Sequence, residues 1–86
     1  MTLTARVFCG QSGHTLHLCY EILTDLTDGG QPEYGLRIAY RSGHRREWRE
    51  CRRITRRRER AQALQTLLWR QRVLPVHLQD VLQDVL

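Results

Sequence analysis

The sequence predicts an α+β protein in which an antiparallel sheet of three to four strands precedes two C-terminal helices packed on one of its faces. Three observations predict this. Up to about residue 53, apolar and polar side chains alternate between turn signals, the period of half-buried strands. From Thr55 onward the apolar residues recur at helical spacing instead. The chain has 86 residues and no linker or repeat, so strands (about 2–53) and helices (about 55–71 and 75–86) form one domain, 1–86, around one core.

The elements follow in order. Leu3, Ala5 and Val7 alternate with Thr4, Arg6 and Phe8 in a first strand, and Gly10-Gln-Ser-Gly13 forms a turn. A second strand puts Leu16, Leu18, Tyr20 and Ile22 on one face and Thr15, His17, Cys19 and Glu21 on the other. Thr27-Asp-Gly-Gly-Gln-Pro32 is the strongest loop, because its glycines accept positive φ and its proline blocks pairing. Tyr34, Leu36, Ile38 and Tyr40 make the next apolar row, opposite Gly35, Arg37, Ala39 and Arg41. The polar faces, with His17, Glu21, Arg37 and Arg41, read as the solvated side of a half-covered sheet.

Ser42-Gly43 turns into a weaker strand, Arg45 to Arg53, in which Trp48 and Cys51 point to opposite faces unless a bulge intervenes. Thr55 is the expected N-cap of a first helix whose stripe is Ala61, Leu64, Leu67 and Leu68. Pro75 suits the first turn of a second helix with a stripe of Leu78, Val81, Leu82, Val85 and Leu86. The short link between them makes the two helices neighbours.

The charge is local. Nine of the fourteen basic residues lie between Arg45 and Arg60, with Glu47, Glu50 and Glu59, a window of +6. The rest holds five arginines against six acids, −1, and lysine is absent. Because arginine stands wherever a base is used, its clustering is informative and its identity is not. Arg56, Arg57 and Arg58 oppose the positive end of the first helix, a conflict that a carboxylate or a bound anion at the free N–H groups would relieve.

Cys9, Cys19 and Cys51 are odd in number and widely spaced, so they read as small reduced core residues and not as a zinc or redox motif. His77, Asp80 and Asp84 share a flank of the last helix, but dipole and i,i+3 pairing account for them better than metal chemistry does. No apolar run nears the roughly 18 residues of a membrane span and none resembles a secretion signal, so a cytoplasmic protein without a membrane partner is expected.

Tyr34-Gly-Leu-Arg-Ile, Ile54-Thr55 opening a helix, and Val73-Leu-Pro-Val-His-Leu-Gln-Asp-Val-Leu-Gln-Asp-Val-Leu86 together resemble a family of short bacterial proteins of unknown function. Its members carry a Tyr-Gly-Ile-x-Val strand and a terminal Pro-x-His-Leu-x-Asp-Val-x-x-Asp-Phe-Leu motif, and the likeness spans about residues 18–86. Leu74 stands where the family commonly has Ser or Thr, and Arg53 and Arg56 to Arg58 stand where it tends to be acidic. The resemblance implies a fold and no activity, cofactor or catalytic residue.

The functional expectation is a small non-enzymatic binding or regulatory module, acting through a protein partner or as a homodimer, with no catalytic residue, cofactor or metal. Trp69, off the first helical stripe, is the candidate protein contact. The alternative is binding of nucleic acid or another polyanion by Arg45, Arg46, Arg49, Arg52, Arg53, Arg56, Arg57 and Arg58, with Trp48 available for stacking.

Overall fold

The computed structural model describes residues 2–9 and 13–86, Cys9 by its backbone alone. Four antiparallel strands, β1 (Thr2–Cys9), β2 (His14–Leu26), β3 (Pro32–Ser42) and β4 (Arg45–Thr55), form one sheet in the order β1-β2-β3-β4. Helix α1 (Arg58–Arg70), a 3₁₀ turn (Pro75–His77) and α2 (Leu78–Val85) follow. This is the expected α+β arrangement, with four strands. The turn at Gly10–Gly13 falls mostly outside the described residues; Gly13 itself has φ +68°.

The connections obey their turn chemistry. In the β2–β3 loop, Gly30 N–H donates to Thr27 O (2.8 Å) and Gln31 N–H to Thr27 Oγ1 (3.1 Å), with Gly30 at φ +79°. Between β3 and β4 only Gly43 and His44 intervene, with Gly43 first and at φ +59°, as a two-residue hairpin of type II′ requires.

The core sits on one face. Leu18, Tyr20, Leu36 and Ile38 of the sheet close on Leu64 and Leu68 of α1, on Val73, and on Leu78 and Leu82 of α2. Val81 and Val85 pack at its margin, whereas Leu86, expected on the same stripe, is 63% exposed beyond the end of the helix. Gln65, which the apolar spacing passes over, is fully buried on α1. Its Nε2 donates to the Tyr20 carbonyl at 2.9 Å, tying helix to sheet.

Two boundaries differ from expectation, for one reason. Trp48 and Cys51 do lie on opposite faces, paired with Ala39 and Leu36 without interruption. The irregularity comes later: Leu36 pairs with Cys51 but Tyr34 pairs with Thr55, so β4 carries three residues opposite Gly35. Arg53 absorbs the excess at φ +57°. Gly35 is needed there, because a Cβ would stand 2.7 Å from Arg52 Cα and closer still to the Cys51 carbonyl. The bulge turns Ile54 toward the core and extends β4 through Thr55.

Thr55 is therefore not the helix N-cap. Its Oγ1 accepts from the Arg57 N–H at 3.1 Å, and α1 begins at Arg58 with Arg57 as an N-cap that supplies no side-chain acceptor. At the other end Val73 N–H reaches Leu68 O and Arg72 N–H reaches Trp69 O, a Schellman closure with Arg72 at φ +52° in the place glycine usually takes. Pro75 opens the 3₁₀ turn, as its missing N–H suits.

Candidate functional site

The helices cover one face of the sheet, so the polar faces of all four strands line up on the other. A depression of about 1090 Å³ lies there. The register sets out its floor in rows. Thr4, Cys19, Ala39 and Trp48 are neighbours across β1 to β4, and Arg6, His17, Arg41 and Arg46 are neighbours in the next row. A third row, Thr2, Glu21, Arg37 and Glu50, closes one end.

These rows differ in electrostatic completeness. In the third, Arg37 Nη2 donates to Glu21 Oε2 at 2.8 Å and lies opposite Glu50, so its charge is met locally. In the second, Arg6, Arg41 and Arg46 are exposed and have no carboxylate partner among the described residues. Arg41 and Arg46 pair directly across the β3–β4 hairpin. Like charges in that position cost about 0.2–1 kcal/mol, which an anion bridging them would offset. Glu47 borders the depression but stands across from Tyr40, on the other face of the strand.

The first row supplies shape. Thr4, Cys19 and Ala39 are small, so the floor is low, and Trp48 rises at its end with 59% of its surface exposed. Burial raises the Cys19 thiol above the ordinary thiol range, and its hydrogen bond to Glu21 Oε1 (3.4 Å) adds to this, so it stays protonated near neutrality. A protonated, half-buried thiol is a floor residue and a poor nucleophile. Cys51 is likewise free and half-buried, facing the core; the side chain of Cys9 lies outside the described residues.

The arginine window of the sequence is divided by the fold. Alternation sends Arg46 to the open face while Arg45 and Arg49 point to the opposite side of the β4 edge. Arg52 is neutralised, reaching Asp25 Oδ1 at 3.1 Å and Glu50 Oε1 at 3.2 Å, and these acids raise its pKa. Arg53 sits in the bulge; Arg56, Arg57 and Arg58 are exposed at the start of α1. Of the three glutamates in the window, only Glu50 forms an ion pair among the described residues. The eight arginines are therefore not one surface.

Trp69 is engaged within the chain. Its Nε1 donates to the Thr4 carbonyl at 2.8 Å, covering the outer edge of β1, and Arg72 lies over its ring at 5.2 Å. His77, Asp80 and Asp84 are exposed on the helical side. No group of three metal-binding side chains occurs among the described residues.

Sequence reasoning placed His17 and Arg41 on the solvated face but did not connect them to Arg6 and Arg46. The signal was available: a two-residue turn after Ser42 sets Arg41 opposite Arg46, and the alternation of β1 puts Arg6 on the polar side.

The family model of a family of unknown function, DUF6514, matches residues 1–86. The chain belongs to this family. No curated protein and no solved structure matches it. Membership in DUF6514 agrees with the resemblance drawn from the Tyr34 strand and the C-terminal helix and extends it to the first strand. The Tyr34-Gly35 pair has a structural reason here, since the bulge of β4 passes directly over Gly35.

Proposed function

We propose that this member of DUF6514 is a small binding module, without catalytic chemistry of its own, that takes an anionic partner on the uncovered face of its sheet. The row Arg6–His17–Arg41–Arg46 carries the reading, because three of its four side chains are exposed guanidiniums that no carboxylate among the described residues meets. The free, raised thiol of Cys19 on the same floor supports binding over covalent chemistry.

Self-association has less support. Stacking two open faces would set two rows of arginines against each other, at a cost in Coulomb energy. Edge pairing through β1 would have to displace Trp69 from the Thr4 carbonyl, and β4 is bulged and dense in arginine, as protected edges are. No helix of the described residues is long and apolar enough to cross a membrane, and a cytoplasmic setting fits a module of this kind.

Titration with polyphosphate, a polyanion without aromatic groups, tests the proposal by calorimetry at low and rising salt. Binding should weaken steeply with salt, and Arg6/Arg41/Arg46→Gln should flatten that dependence more than Arg56/Arg57/Arg58→Gln does. No heat of binding at low ionic strength would eliminate the reading.

A further inference from the structure

Resting on that reading, we infer that the anion is the backbone of a single-stranded nucleic acid, which crosses the open sheet with its phosphates over the arginine row and a base stacked on Trp48. Three features of the face point past a generic polyanion. The first is the spacing of charge. Strands lie about 4.8 Å apart, so four strands set the Arg6 to Arg46 row along about 14 Å of groove floor, a line of donors and not a point site. A lone phosphate would engage one or two of these side chains and leave the others unmet.

The second feature is the aromatic interleaving. Trp48 stands one row from the arginines, on β4, with most of its indole in solvent. Phe8, 69% exposed, stands one row from them on the other side, on β1. The path from Phe8 to Trp48 runs diagonally across the cationic row for about 20 Å, from the strand spacing and the rise per residue. Exposed aromatics on both flanks of a cationic line present stacking platforms beside a track for phosphates. An acidic peptide would satisfy the arginines but offers the tryptophan a π-face only where it carries an aromatic residue, whereas every nucleotide carries one beside its phosphate.

The third feature is the shape of the floor. Thr4, Cys19 and Ala39 are small, so a flat ring can lie beside Trp48 on the plane of the sheet. A duplex keeps its bases paired and stacked within, where a surface indole cannot reach a π-face, whereas an unpaired strand splays them out. Arg37, held by Glu21 and opposed by Glu50, adds no free charge at that end, so the cationic track is confined to a single row.

Fluorescence anisotropy of a labelled single-stranded oligonucleotide of on the order of ten nucleotides is the direct test, with polyphosphate in parallel. Wild-type protein should bind the oligonucleotide with a salt slope that falls by about 2 on Arg6/Arg41/Arg46→Gln, at about 0.7 for each phosphate no longer neutralised. Trp48→Ala should weaken oligonucleotide binding at least fivefold while leaving polyphosphate binding unchanged. All four side chains are exposed, so unaltered melting of the variants checks that the fold is intact. Equal affinity for both polymers, with no effect of Trp48→Ala, would overturn the nucleic acid and leave the anion-binding face standing. Tighter binding of a matched duplex than of the single strand would likewise overturn it. Failure to bind either polymer would remove both readings.

Discussion

The Tyr20 hydroxyl donates to the Val73 carbonyl oxygen at 3.0 Å, joining the middle of the sheet to the link between the two helices. Tyr20 is fully buried, and its own carbonyl accepts from Gln65 on α1, so one residue of β2 holds both the first helix and the entry to the second. The helical layer is thereby fixed to one face, and the opposite face stays open. The direction of the sheet's exposed chemistry follows from this pair.

Tyr20→Phe should destabilise the protein by about 1 kcal/mol near neutral pH, through loss of one buried hydrogen bond. Its pH dependence is more diagnostic. Burial pushes the Tyr20 phenol from 10.0 up to about 12, with Arg72 opposing the shift weakly. The folded protein thus keeps a proton that the unfolded chain releases. The resulting stability is present below pH 10 and is lost as pH climbs from 10 toward 12. Urea denaturation across this range should show the wild type losing its advantage over the phenylalanine variant; parallel curves would refute the assignment.

Gly35→Ala should cost about 2 kcal/mol or more, since the added methyl meets the Cys51 carbonyl and Arg52 Cα, backbone that cannot rotate away. Chemical denaturation measures it. A neutral substitution would mean that the β4 bulge relaxes at little cost.

Arg57→Asp should stabilise the protein by about 1 kcal/mol. Arg57 has the extended backbone of an N-cap (φ −97°, ψ 118°) but no acceptor for the free N–H groups of α1, and its charge opposes the helix dipole. An aspartate corrects both. A thermal melt that fails to rise would show that this end of α1 gains nothing from a cap.

Trp69→Phe keeps the bulk of the ring and removes the donor to the Thr4 carbonyl. About 1 kcal/mol of stability should be lost. The uncovered edge of β1 should then pair more readily with other chains, giving a mass above 10.2 kDa by light scattering at high concentration while the wild type stays at that value.

The amino-acid order alone determined the secondary structure, apart from the β4–α1 junction, and most of the core. Alternation in Leu16–Ile22 and Tyr34–Tyr40, glycine at the turns and the i,i+3,i+4 spacing of Leu78, Val81, Leu82 and Val85 are local signals, and local backbone preference suffices to read them. It also marked the arginine excess. Alternation and the two-residue turn after Ser42 already set Arg46 opposite Arg41 and turn Arg45 and Arg49 away. Only the tertiary structure decided that Arg6 and His17 share their row, because that depends on the pairing register of β1 with β2 and of β2 with β3. It likewise decided the burial of Gln65 and the placing of Trp69 against β1, both satisfied by carbonyls that are remote in sequence. Contacts across forty or more positions depend on how layers dock, and no window of neighbouring residues contains that information.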